Sequence, residues 1–375
     1  MLEEHVDFLN HGSFGAVPRV VFDEQTEWRR RVEARPVEVL ARRGDELIAD
    51  AKAAAGAWLG MRPDDFGLVT NATDGVNAVL RSLTWRPGDE LLTTSHVYNA
   101  VRQAMKYVAG RAGATYREVE VPLPLAGSGE VIERLVAGLS DRTRLLVIDH
   151  VTSPTGLIFP VGPIVRACAE RGVDVLIDGA HAPAMLPLNV SATGAAYYAG
   201  NLHKWAFAPR GAGFLWVRPD RQADIHPTVI SHRLGEGVAR EFAWQGTRDV
   251  TAWLTVPRAV EFLADLGEQR VRDHNHALAV WAHRLLNTRW GDDPISPTDG
   301  SMVGSMAAVP LPLALQDMTE EQGLALQRRL YTAHRFEVPL HCFAGQWLLR
   351  VSCQVYNTTA QYERLAEVVG SLSQG

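Results

Sequence analysis

The sequence predicts an α/β fold: a large domain on a mostly parallel seven-stranded sheet, then a smaller α/β C-terminal domain. Three observations predict it. Between about residues 65 and 220, seven short apolar runs alternate with stretches of helical periodicity, the pattern of βα units whose sheet is covered on both faces. Five of those runs end in residues able to do chemistry, and open α/β sheets bind ligands beyond the carboxyl ends of their strands. The chain's 375 residues, 46% of them hydrophobic, suffice for one substantial core and a satellite.

Residues 18–59, rich in Arg, Glu and Ala, read as helical. Strand-like runs follow at 67–70, 90–94, 115–121, 144–148, 173–177, 195–199 and 213–217. Helical patterns fall between them at 74–83, 100–109, 131–139 and 161–171. Helices from about 251 to 290 lead into an irregular region, 291–312, then a helix at 320–334 and a strand at 347–352. On this reading the large domain spans 18–255 and the small one 256–375. The segment 1–17 packs with the small domain and lines the site.

Composition excludes some functions. A net charge of −6 and a pI near 6.1 argue against nucleic acid or an anionic membrane as partner. No apolar stretch approaches the ~20 residues of a membrane span, and the acidic start "MLEEHVDFLN" does not read as a signal peptide. Cys168, Cys342 and Cys353 form no CxxC and cannot all pair, so a reducing cytoplasm is expected.

The polar strand ends carry the chemistry. Lys204, in "GNLHKWAFAPRG", is one of three lysines among 37 basic residues. A desolvated lysine can lose its proton and form a Schiff base, which arginine cannot; a surface lysine lying over apolar neighbours is the alternative. Asp178 ends an apolar strand and must find a partner. A pyridinium nitrogen is one and a helix N-terminus another. "TNATDGVNAVL" offers backbone N–H groups and hydroxyls to an anion, or ordinary capping without a ligand. Together an anion seat, a carboxylate for a ring nitrogen and an imine lysine are the parts that pyridoxal 5′-phosphate requires. No metal site, P-loop or dinucleotide glycine fingerprint is read.

With "DGAH", "GNLHKW", "PRGAGFL" and "RVSCQVYNT" in this order, the chain resembles the class V aminotransferase group of fold-type-I pyridoxal-phosphate enzymes over nearly its whole length. That group includes cysteine desulfurases, isopenicillin N epimerases and C–S lyases. "LNHGS" and "SPTGLIFPV" look like the epimerase branch.

The resemblance implies Lys204 as the Schiff-base lysine and Asp178 as the pyridinium partner, with His181 at the ring's phenolic oxygen. It implies Ala72, Thr73, Asn201 and His203 around the phosphate, and Thr247 reaching the phosphate of a neighbouring subunit in a homodimer. His96 would stack on the ring and join Lys204 and Asp178 as catalytic residues, with Tyr98 as the other candidate for that face. Arg350 would clamp the substrate carboxylate, and His11 and Gly12 would line the substrate side. Ser153 would contact the cofactor, although desulfurases carry Asn there. Cys342, the only candidate sulfur acceptor, lies eight residues before Arg350 and reads as packed. The activity implied is epimerisation or β-elimination on an amino acid or its sulfur conjugate. Transamination is the alternative; a desulfurase or an inactive binding protein stands further off.

Overall fold

The computed structural model describes residues 2–291 and 293–373. Seven strands form the large sheet: β1 (Phe66–Val69), β2 (Glu90–Thr94), β3 (Thr115–Val119), β4 (Thr143–Asp149), β5 (Asp174–Gly179), β6 (Tyr197–Asn201) and β7 (Gly213–Val217). Their order is β1-β7-β6-β5-β4-β2-β3. Only β7 runs antiparallel, to both neighbours; the other pairings are parallel. Strands β6 and β7 are buried throughout, so they read as continuous apolar runs rather than alternating ones.

Helix Ala72–Ser82 shows how sequence sets the layers. Its buried Ala72, Gly75, Val76 and Val79 recur at helical spacing and form one face. That face joins Ala199 of β6 and Leu215 of β7 in one apolar cluster. Asn71 caps the helix, its side chain accepting the Asp74 N–H, and this fixes the turn after β1 where a ligand would sit.

A second sheet holds three antiparallel strands, β8 (Met306–Pro310), β9 (Leu340–Phe343) and β10 (Gln346–Ser352), in the order β9-β10-β8. Helices Glu268–Trp290, Glu320–His334 and Thr359–Leu372 contribute to its core, with Leu278, Leu326, Leu349 and Tyr362 in one cluster. β8 lies inside the stretch read as irregular. Its Met-Ala-Ala-Val-Pro has a single β-branched residue, Val309, and no aromatic one to mark a strand. The N-terminal segment joins the small domain. Asp7–Phe8 pairs with Phe336–Glu337, Ser352 N–H donates to Leu9 O, and the Gly12 N–H donates to Ser352 Oγ.

No helix among the described residues is long and apolar enough to cross a membrane.

Candidate active site

Above the carboxyl ends of β1, β4, β5 and β6 lies a cavity of about 340 Å³, with Lys204 on its wall. Nine of the residues singled out from the sequence line it: Ala72, Thr73, Tyr98, Ser153, Asp178, His181, Asn201, His203 and Lys204.

Lys204 follows β6 in a turn held from behind by His11, whose Nε2 lies 3.0 Å from the Lys204 carbonyl oxygen. Gly15 approaches the same turn with φ +68, and a Cβ there would strike the carbonyl of His203. Burial lowers the half-buried Lys204 ammonium to about 7; Arg350 adds to this, while Asp178 and Asp149 oppose it. Its Nζ lies 3.2 Å from Nε2 of His181. Trp205 Nε1–H donates to His181 Nδ1 at 3.4 Å. A neutral His181 therefore carries its proton on Nε2 and donates to a free amine. Burial holds that imidazole neutral, helped by Lys204, Arg350 and His203, which together push it well below the usual histidine range.

Asp178 is 3% exposed and accepts the Ala180 N–H through Oδ1 at 2.9 Å. Its other oxygen makes no bond among the described residues. Burial raises its carboxyl, against the pull of the Ala180 N–H and Lys204. A cationic partner at the free oxygen would reverse that cost.

Around the helix N-terminus, Ala72 N–H is already taken by Asn201 Oδ1 at 2.8 Å. This corrects the expectation that Ala72 serves an anion: its N–H instead locks β6 against the helix. Thr73 remains on the cavity wall. His203 faces it too, with Nδ1 3.0 Å from the Ala212 carbonyl and its pKa lowered by burial to about 4.

Arg350 lies behind Ser13 and Ser153, buried at 2% exposure. Its guanidinium donates to the Ser153 carbonyl, to Ser153 Oγ at 3.3 Å, to Ser13 Oγ at 3.2 Å and to Asn10 Oδ1 at 3.5 Å. Its Nε has no acceptor. Among the described residues no carboxylate pairs with it, and burial lowers it to about 10. A buried cation lacking an anion is a seat for one.

Three expectations are corrected. His96 does not face the cavity: it is fully buried, with Nδ1 2.8 Å from Thr155 Oγ1 and Nε2 2.8 Å from the Val121 carbonyl. Its ring packs on Phe343 with centroids 4.3 Å apart. Tyr98, two residues on, takes the wall position. His11 and Gly12 also lie behind the site. His11 bonds Tyr356 and the Lys204 carbonyl, and a Cβ on Gly12 would collide with Met306 Sδ; Ser13 and Phe14 are the lining residues. Cys342 is exposed rather than packed and lines a neighbouring cavity of about 570 Å³ that shares Tyr98 and Ser153 with the first. Cys168 and Cys353 are buried. Thr247 is exposed and outside the cavity of its own chain.

The sequence reading gives no role to Asp149, which ends β4, as Asp178 lies one residue before the end of β5, and which lines the cavity. The shared pattern, an apolar run closing on aspartate, could have found it.

The sequence matches the protein family described as Aminotransferase class-V over residues 13–365. It is 35% identical to an isopenicillin N epimerase of Amycolatopsis lactamdurans, covering 99% of this chain and 96% of that one. It is 31% identical to an L-cysteine desulfhydrase of Arabidopsis thaliana, covering 97% and 87%. Among solved structures, a cystine C–S lyase in complex with its product cysteine persulfide superposes with a TM-score of 0.81, covering 97% of both chains at 21% identity. At that identity the likeness is one of fold.

Proposed function

Because this chain belongs to the class V aminotransferase family, an enzyme family of pyridoxal-phosphate chemistry, we propose that it binds pyridoxal 5′-phosphate and acts at the α-carbon of an amino acid. Epimerisation and β-elimination of a sulfur-bearing group are the outcomes its relatives' names support. The observation that carries the reading is Lys204: an amine brought to about 7, in contact with a neutral imidazole and sharing a cavity with a buried carboxylate.

The residues fit the cofactor. Asp178 keeps one oxygen for a ring nitrogen, and Thr73 and His203 flank a capped helix N-terminus suited to a phosphate. Tyr98 offers an aromatic face, and Lys204 would hold the aldehyde carbon. When bound, pyridoxal phosphate supplies an electron sink for charge at the α-carbon. Arg350 takes the substrate carboxylate as Ser13 and Ser153 turn aside, since its donors then gain a charged acceptor. Lys204 Nζ, its approach fixed by His181 Nε2, takes the α-proton. Asp178 would keep a bound ring nitrogen charged. We place Thr247 at the site of a second copy in a homodimer.

Borohydride treatment of the protein with pyridoxal phosphate should leave the label on the peptide carrying Lys204; label elsewhere, or none, overturns the reading. Incubation with cysteine conjugates in D2O then separates the outcomes. Pyruvate and ammonia report elimination, and deuterium at an inverted α-carbon reports epimerisation. Dependence on an added keto acid would overturn both.

The corrected places of His96 and Tyr98 predict opposite phenotypes. His96→Ala should cost about 3 kcal/mol of stability, from two buried hydrogen bonds and a cavity, with the bound cofactor's absorbance unchanged. Tyr98, 43% exposed, should on replacement by Ala shift that absorbance with little loss of melting temperature.

A further inference from the structure

Asp149 and Asp178 are register partners in the adjacent parallel strands β4 and β5. Such partners point to the same face, on strands roughly 4.8 Å apart. Both are 3% exposed and both line the cavity with Lys204. Asp149 Oδ2 is shut off from solvent and has no hydrogen-bond partner among the described residues, the one carboxylate oxygen for which both hold. Among the described residues no ion pair relieves it. The charged groups around it are Asp178, Arg102 and Lys204. His150 and Tyr198 nearby are bonded to each other at 2.8 Å. Burial, then repulsion from Asp178, pushes the Asp149 carboxyl well above the usual range, opposed by the Tyr98 N–H and Arg102. The chemistry derived above gives this acid no task.

We propose that Asp149 forms an acid pair with Asp178: it keeps its proton until a cationic ring nitrogen docks on Asp178, then releases it, so that two carboxylates hold the ring charged. The inference rests on the site taking pyridoxal phosphate. The Asp149 O–H bond breaks heterolytically, its electron pair stays on the carboxylate and the proton leaves to solvent; nothing is oxidised or reduced. The logic is that of two like charges in one low-dielectric site. Such a pair tolerates a single negative charge until a positive one arrives between them. Asp149 is thus a positioning residue, acting on the ring through the charge beside Asp178.

The test is calorimetric titration of pyridoxal phosphate into the cofactor-free chain and its Asp149→Asn variant, in two buffers of different ionisation enthalpy. The wild type should release about one proton more than the variant, and the variant should bind about tenfold more weakly. Equal proton counts with equal affinities would overturn the role of Asp149 while leaving the cofactor reading intact. No binding by either chain would overturn both. Infrared difference spectra of the unaltered chain need no variant. A protonated-carboxyl C=O band should disappear as pyridoxal phosphate is added, and its persistence would sink the proposal.

Discussion

Replacement of Lys204 by alanine is expected to lower turnover by at least about 10⁴-fold, since on the proposed reading it removes both the covalent anchor and the base for the α-proton. Fold and cofactor pocket should survive. The other wall groups are held independently of Nζ: Asp178 by Ala180, His203 by Ala212, and the helix at residue 72 by Asn201. Pyridoxal phosphate should therefore still bind, without a borohydride-stable bond. Lys204→Arg is the sharper variant. It preserves positive charge and much of the stem, yet a guanidinium stays protonated, so it should be as inactive as the alanine variant. Capture of the aldehyde should also show its own pH dependence. The reactive amine is the unprotonated one, so the rate should rise as pH climbs through about 7, where Lys204 loses its proton, rather than near 10.5. A capture rate that climbs only above pH 9, or measurable turnover by Lys204→Arg, would exclude the lysine from the chemistry.

What the sequence made legible was whatever its local pattern encodes. The seven strands of the large sheet appear within two or three residues of their observed ends, because each is a short apolar run closed by a polar turn. Lys204, Asp178 and His181 come to one cavity because β5 and β6 are adjacent parallel strands, and the residues just past their ends must converge. What stayed hidden depends on contacts between distant segments. Whether His96 or Tyr98 faces the cavity is decided by Thr155 and Val121, 59 and 25 residues away, which take both nitrogens of His96. His11 and Gly12 face Tyr356 and Ser352, more than 300 residues downstream, so no local rule could assign Ser13 and Phe14 to the wall instead. Asp149 is different. It carries the same local signal as Asp178, an aspartate closing a buried apolar run, and so is legible without any long-range contact.

Arg350 sets function against stability. Its guanidinium is buried with only neutral acceptors, and burying a charge without a counterion costs free energy that neutral hydrogen bonds recover only in part. On the proposed reading, the site bears this cost because the anion Arg350 serves is the substrate's own carboxylate. Arg350→Met, which fills similar volume without charge, should therefore leave the chain at least as stable as wild type in thermal unfolding. The same change should lower kcat/KM by about 10² to 10⁴-fold, the worth of two charge-assisted bonds of about 1.5–3 kcal/mol each. Arg350→Lys should recover little of the loss, since a single ammonium cannot reproduce two parallel donors. The deficit should vanish for an amine that resembles the substrate but lacks its carboxylate: wild type and variant should then bind it alike. If Arg350→Met instead loses several kcal/mol of stability, the arginine is a structural strut for Ser13 and Ser153. If it discriminates equally against substrates with and without a carboxylate, the anion it awaits is a different one.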